Sequence, residues 1–315
     1  MDWLKRWYTA LPTPSQPLAV AFSGGLDSSA LLHVSHAMFP GAVVALHVNH
    51  GLQPAAPDFE AHCARVCAQL DIPLMTKSVA ISLQPGDSVE ERAREFRYKT
   101  LAELAQQARA RVVWLAQHAD DQAETFLLAL SRGSGVAGLA SMGEHVIACS
   151  MVFGRPWLSI RQDSLRHRVN ACRWPYLDDP TNADTRFTRN HIRHNVLPGL
   201  SVAFPSMVKA IMRSARHCAQ ANELLDDLAQ QDMAQLGWPP RLDVLQALSP
   251  ARQANALRCW LVTVAGRAPS TAQLDELRKQ LAAATTRGHH IRIKVADGMV
   301  VRDGAVLGYL PAHAD

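Results

Sequence analysis

Residues 18–29 read Leu18-Ala19-Val20-Ala21-Phe22-Ser23-Gly24-Gly25-Leu26-Asp27-Ser28-Ser29. Five apolar residues run straight into Ser-Gly-Gly, and a helical pattern follows from about Ser28 to Met38. A short, wholly apolar run bounded by turn residues fits a strand buried on both faces, as in parallel sheets. The glycines let successive backbone N–H groups converge on an anion, and the helix N-terminus adds its dipole. The hydroxyls of Ser23, Ser28 and Ser29 supply further donors. Asp27 is out of place beside an anion unless a cation bridges the two, which suggests Mg²⁺ held between Asp27 and a nucleotide.

Working outward, the same rhythm repeats. Val43–Val48 reads as a second strand and Ala56–Leu70 as an amphipathic helix. A third strand falls near Leu74–Ala80. Ser88–Ala108 is a long helix opened by a Ser88–Glu91 capping box. Arg111–Ala116 is a fourth strand, and Asp120–Leu130 another helix. Alternation of this kind predicts an α/β fold: a doubly wound parallel sheet with helices on both faces and a ligand site beyond the carboxyl ends of the strands.

The loop 131–143 carries four glycines and is expected to wrap a ligand or move. Beyond it the pattern weakens. Residues 173–205 read as a proline-rich connector with a short helix near Asn190–Val196. A second, mainly α-helical domain follows, with helices at 206–236, 250–264 and 271–284. It ends in small strands at 291–295, 299–302 and 305–309. The expected division is a catalytic domain at 1–205 and an accessory domain at 206–315.

The chain has 315 residues, 48% hydrophobic and 19% charged, with a mean hydropathy of -0.06. Disorder is excluded by this composition, and no apolar run approaches the ~18 residues of a membrane span. The first seventeen residues carry charge and proline where a secretory signal needs an apolar core. Six cysteines are too few for a disulfide scaffold. Cys63 and Cys67, four apart on a helix, lack a second ligand pair and read as buried apolar residues. These features suggest a cytoplasmic protein with reduced thiols and no membrane partner.

The net charge of +4 is unevenly spread: residues 152–216 carry an excess of seven basic over acidic side chains. Such a stretch suggests a polyanion larger than a nucleotide, with a merely solvated basic surface as the alternative.

Three further constellations face the predicted crevice. His47 and Asn49 close the second strand in LHVNHGL (46–52), placed to contact adenine, ribose or a reacting base. On the long helix, counting ~100° per residue from Val89 puts Arg97 inside the apolar arc, near ~80°, and Arg94 at its edge, near ~140°. Arginines there need an anion, either a phosphate chain or an internal carboxylate such as Glu90. His118-Ala119-Asp120-Asp121-Gln122-Ala123-Glu124 follows the fourth strand. Asp120 and Glu124 share a helix face and suit a cation, an amine's proton or a cationic substrate; Asp121 alone reads equally as a helix cap.

Ser-Gly-Gly-x-Asp-Ser after a first strand is not a Walker loop, since no Lys follows the glycines, and it is not G-x-G-x-x-G. It resembles the PP-loop of the ATP pyrophosphatase superfamily. That resemblance implies an adenine nucleotide alpha-hydrolase-like fold that splits ATP between its α and β phosphates. SGGLDS, LHVNHGL, AREFRY, HADDQAET, RGSGVAGL and DDPTNADTRFTRNHIRHNVLP, in this order, are together similar to the tRNA(Ile)-lysidine synthetase family, closely over 18–200 and more loosely beyond. A tRNA 2-thiolation enzyme of the same superfamily is the competing resemblance.

The resemblance implies an ATP-dependent carbon–nitrogen ligase that adenylates the wobble cytidine of an isoleucine tRNA with a CAU anticodon. L-Lysine then attacks to leave lysidine, AMP and pyrophosphate. Ser23, Gly24, Gly25, Leu26, Asp27, Ser28, His47 and Asn49 become the expected ATP-binding residues, with Asp27 also the Mg²⁺ ligand. Asp27, Arg94, Arg97, Asp120, Asp121 and Glu124 become the expected catalytic set, and Arg186, Arg189 and Arg193 the expected tRNA contacts. A homodimer is admitted among the partners. Two departures stand out. Gln53 replaces an Arg common in relatives, and the chain resembles a short form lacking a further C-terminal domain.

Overall fold

The computed structural model describes residues 12–49, 56–79, 89–179, 181, 184–284 and 289–311, with side chains of 89–91 left aside. The expected Ser88–Glu91 capping box, Gln53, and the His50-Gly51-Leu52 end of its motif lie outside the described residues. Two compact units emerge, 1–219 and 220–315.

The first unit runs β1 (Leu18–Ala21), α1 (Leu26–Met38), β2 (Val43–Asn49), α2 (Ala56–Leu70), β3 (Leu74–Ser78), α3 (Val89–Gln107), β4 (Val112–Trp114) and α4 (Ala119–Ser131). A short helix α5 (Val136–Leu139), a hairpin β5 (His145–Ala148) and β6 (Met151–Gly154), and α6 (Gln162–Cys172) follow. The sheet order is β3-β2-β1-β4-β6-β5. All neighbours are parallel except the edge strand β5, which pairs antiparallel with β6.

Strand periodicity explains the two-sided burial. Leu18, Val20, Val43, Ala45, Val112 and Trp114 pack with α1, α2 and α6 through Leu31, Cys63, Val66 and Val169. The alternate residues Ala19, Val44, Leu46 and Val113 pack on the other face with Leu101, Leu104 and Ala105 of α3. Apart from the partly buried Ala21, Val48 and Asn49 at the strand ends, the β1, β2 and β4 side chains are therefore buried on one face or the other, which produces the apolar runs in the sequence.

Strand order reverses between β1 and β4, because the chain winds outward through β2 and β3 and then returns to β4 beside β1. The loops after β1 and β4 thus flank the crevice at this switch point.

The hairpin β5–β6 and helix α6 were not legible in the sequence. β5 is an exposed edge, with Ile147 on the surface, so its alternation is weak. In α6 only Leu165 and Val169 are buried. Its N-cap position is Arg161, without a side-chain cap of its own. The acceptor comes instead from Asp120, whose Oδ2 takes the Gln162 N–H at 2.8 Å. A helix capped from another element leaves no local start signal.

After α6 the chain forms α7 (Thr188–His191), one π-helical turn (Ile192–Val196) and α8 (Leu197–Ala203). Ile192 and Leu197, together with Val208 and Ile211 at the start of α9 (Met207–Leu236), pack on Ala119 and Ala123 of α4. This cluster fixes the basic connector against the first turns of α4.

The second unit holds the later part of α9, then α10 (Leu242–Ala247), α11 (Pro250–Ala265) and α12 (Thr271–Ala283). An antiparallel sheet β7 (Arg292–Val295), β8 (Gly298–Asp303) and β9 (Val306–Pro311) completes it. Its core centres on Leu236, Leu245, Leu257, Trp260 and Leu277. No single helix among the described residues is long and apolar enough to cross a membrane.

Candidate active site

The turn after β1 is braced from within. Ser28 Oγ donates to the Gly25 carbonyl at 3.0 Å and accepts the Ser23 N–H at 3.2 Å; the two serine hydroxyls lie 3.0 Å apart. Gly24 has φ +87, a left-handed backbone, and a Cβ there would sit 3.2 Å from Cys63 Sγ and 3.3 Å from His62 and Phe59. Both the conformation and the close approach of α2 require glycine. Leu26 is buried and starts α1, with Asp27 in its first turn. The connector passes over this turn, where the Leu177 N–H donates to the Gly24 carbonyl at 2.9 Å.

His47 is buried, its Nδ1 2.9 Å from the Phe22 carbonyl and 3.4 Å from Cys63 Sγ. It ties β2 to the end of β1 directly beneath the turn. Asn49 is half-buried at the end of β2 and donates to Glu60 Oε2 at 3.0 Å. Burial pushes the Cys63 and Cys67 thiols up to about 12, helped at Cys63 by Cys67 and Glu60, so both are inert apolar residues.

His118 is the N-cap of α4. Its Nδ1 accepts the Asp121 N–H at 3.3 Å, and its own N–H donates to Asp121 Oδ2 at 3.0 Å, a reciprocal capping box. Asp121 is therefore a cap as well as an acid of the site. His118 Nε2 lies 3.5 Å from Asp27 Oδ2 and joins the two sides of the crevice. Burial opposes charge on this ring, but the hydrogen bond to Asp27 and the fields of Asp121, Asp27 and Asp120 outweigh it and raise the pKa.

Asp27 Oδ2 also accepts from Gln162 Nε2 at 3.0 Å. Its other oxygen, Oδ1, is buried without a hydrogen-bond partner. An orphaned carboxylate oxygen beside a phosphate-shaped turn fits a cation shared with the nucleotide. Among the described residues no three His, Cys, Asp or Glu side chains form a metal cluster. One protein carboxylate completed by phosphate oxygens is the usual Mg²⁺ arrangement.

The remaining acids are drawn onto basic partners. Asp120 accepts from Arg161 Nε at 2.9 Å as well as capping α6. Glu124 is 1% exposed; its oxygens accept from Arg189 Nε at 3.0 Å and from Arg193 Nε and Nη2 at 2.6 and 3.1 Å. Arg193 Nη2 also reaches Asp121 Oδ1 at 3.3 Å, and Arg189 Nη2 donates to Thr125 Oγ1 at 2.8 Å. Burial works against the Arg193 charge, yet Glu124, Asp121 and Asp27 hold its pKa above the ordinary value. Arg186 is different: its side chain is 88% exposed and clamps Asp184 beside it.

Arg94 and Arg97 correct the helical-wheel expectation of burial: both are exposed. They lie on the N-terminal half of α3, whereas the residues packed on the sheet are Leu101, Ala102, Leu104 and Ala105 of the later turns. Arg94 lies against Tyr98, with its guanidinium 5.3 Å from the ring centre. The glycine-rich loop is anchored at its end, where Gln122 exchanges hydrogen bonds with the Met142 backbone at 2.8 and 3.0 Å. Buried Arg155, just past β6, donates to the Gly143 carbonyl at 2.7 Å, to Tyr98 at 3.0 Å and to Gln117.

Arg161 and Gln162 escaped the sequence reading. The signal that remained was a basic–amide pair just ahead of a weakly amphipathic segment, and nothing local tied it to the crevice.

A serine- and glycine-built anion turn, with an aspartate at the switch point of a doubly wound sheet, defines a PP-loop protein. A PP-loop domain model matches residues 4–200, and a TilS substrate binding domain model matches residues 241–305. A tRNA(Ile)-lysidine synthase from Polaromonas naphthalenivorans (strain CJ2) is 48% identical over 98% of this chain and 94% of its own length. One from Bordetella pertussis is 38% identical over 92% and 94%. One from Coxiella burnetii is 39% identical over 89% of this chain, which spans only 63% of that longer relative. The chain belongs to the tRNA(Ile)-lysidine synthase family. Among solved structures, the U34-tRNA thiolase NcsA from Methanococcus maripaludis shares the fold, with a TM-score of 0.56 at 16% identity over 69% of this chain and 76% of that one.

Proposed function

We propose that this chain is a cytoplasmic ATP-dependent ligase that converts the wobble cytidine of a CAU-anticodon isoleucine tRNA to lysidine. The observation that carries the reading is Asp27 beside the glycine turn: its buried Oδ1 lacks a partner, and its Oδ2 lies 3.5 Å from His118, the N-cap of the acid-bearing α4.

In the first step the cytosine O2 attacks the α-phosphorus of ATP, an O–P bond forms, and the bond to the β-phosphate bridge breaks. The backbone N–H groups around Ser23, Gly24, Gly25, Leu26 and Ser28, with the α1 N-terminus, receive the departing pyrophosphate. His47 holds the turn from below, and Asn49 stands at the strand end where adenine or ribose would lie. Mg²⁺, held by Asp27, would offset phosphate charge. Arg94 and Arg97, exposed at the start of α3, are assigned to the phosphate chain.

In the second step the ε-amine of L-lysine attacks C2, AMP leaves with the former O2, and the amine passes its proton to the carboxylate of Asp120 or Asp121. An amide-like oxygen is a poor leaving group and AMP a good one, so the adenylate makes the exchange feasible. Asp120 and Asp121 are assigned to the cationic substrate, each retaining some exposure. Glu124 acts from beneath by holding Arg189 and Arg193 in place. Those arginines keep further guanidinium N–H groups for tRNA phosphates, and Arg186 stands clear in solvent for the same purpose. The second unit, 220–315, is assigned to tRNA binding.

Labelled L-lysine should enter a CAU-anticodon isoleucine transcript only with ATP and Mg²⁺. Label arriving from a sulfur donor instead, or lysine incorporation without ATP, would reject the proposal.

A further inference from the structure

We infer that Gln162 is a positioning residue for Asp27, fixing which carboxylate oxygen faces the nucleotide and its cation; this rests on the nucleotide-binding reading above. Gln162 Nε2 and His118 Nε2 both approach the same oxygen, Oδ2, at 3.0 and 3.5 Å. Oδ1 is buried and without a partner. A lone carboxylate has two equivalent oxygens and turns freely about its last bond. Two donors on one oxygen remove that equivalence and present the other.

Gln162 is itself held on a fixed frame. It is the first residue of α6, its N–H donates to Asp120 Oδ2 at 2.8 Å, and Arg161 Nε holds Asp120 Oδ1 at 2.9 Å. At the first residue of α4, the Ala119 N–H donates to the Ile160 carbonyl at 2.9 Å. The N-termini of α1, α4 and α6 are thereby tied together around Asp27. Because the carboxylate can only accept, the amide must present its NH₂ group. An amide suits this task better than a cationic side chain. It fixes the orientation and leaves the negative charge for the metal.

The test uses the full chain, Mn²⁺ as a paramagnetic stand-in for Mg²⁺, and α,β-methylene-ATP, which cannot be split at the reacting bond. Gln162→Met keeps the bulk and removes the donor; Gln162→Asn keeps an amide that falls short of Oδ2. Both should weaken Mn²⁺ binding to the nucleotide complex by about tenfold, the lower end of what outer-shell changes cost metal sites. Metal-free nucleotide affinity and the unfolding midpoint should stay near wild type. If Gln162→Met does not fold, Gln162→Asn alone decides. Unchanged Mn²⁺ affinity overturns the inference, as does a parallel loss of metal-free nucleotide affinity, which would mean the turn itself is disturbed. A wild-type chain that binds neither nucleotide nor Mn²⁺ would instead reject the nucleotide-binding reading, and this inference with it.

Discussion

Glu124→Ala probes the joint between the crevice and the basic connector. The carboxylate is 1% exposed and receives three guanidinium N–H groups at 2.6, 3.0 and 3.1 Å. Removing one partner of a buried ion pair costs ~3–5 kcal/mol, because the other charge is left unpaired. Two facts reduce that here. The Arg189 and Arg193 side chains are 24% and 27% exposed, so water partly replaces the lost acceptor. Each also keeps a second partner, Thr125 Oγ1 and Asp121 Oδ1 respectively. The expected loss is therefore about 3 kcal/mol, at the low end of the buried-pair range. For a unit of this size that lowers the melting temperature by about 6–12 °C. Denaturant titration of Glu124→Ala, Arg193→Met and the double variant measures it. The pair should couple by more than ~1 kcal/mol. A loss below ~1 kcal/mol for Glu124→Ala, or strict additivity in the double variant, would show that Glu124 does not anchor the two arginines.

Other perturbations reach separate parts of the account. Gly24→Ala forces a side chain onto a φ of +87 and against Cys63, His62 and Phe59; about 2–4 kcal/mol of stability and most ATP affinity should be lost together, by denaturation and nucleotide titration. His118 has a folded pKa raised above its ordinary 6.5, so its contribution to stability is complete below 6.5 and fades as pH rises through the raised value. Protonation costs the Asp121 cap, about 1 kcal/mol, against the favourable field of three carboxylates. His118→Asn, which keeps a cap acceptor but cannot titrate, should flatten that decline in a pH series of unfolding midpoints; an unchanged pH dependence counts against the assignment. Arg186→Ala should weaken tRNA binding and reduce the slope of log affinity against log salt by about 0.7–0.9; a filter-binding salt series reads this directly.

Strands β1–β4 and the phosphate turn were legible because they depend on local rules. Buried strands such as Leu18–Ala21 read as apolar runs, and glycines mark the turn that follows. What stayed hidden depends on partners distant in sequence. The start of α6 is supplied by Asp120, forty-two positions earlier. Arg189 and Arg193 read as a basic surface because Glu124, their common partner, lies more than sixty residues away. A separation of 135 positions hid the contact of Gln162 with Asp27. Helix periodicity put Arg97 on the arc of Ala93, Leu101 and Leu104, which are buried, yet its own side chain is exposed. Cys63 and Cys67 needed no distant partner, and they are buried as expected.

The most direct test follows ATP and tRNA in a single vessel. With the CAU-anticodon isoleucine transcript and L-lysine, AMP and pyrophosphate should appear one for one with lysine-bearing wobble nucleoside, resolved by chromatography and mass analysis. ADP and orthophosphate as products, or AMP formed while the nucleoside stays unmodified, would contradict the account.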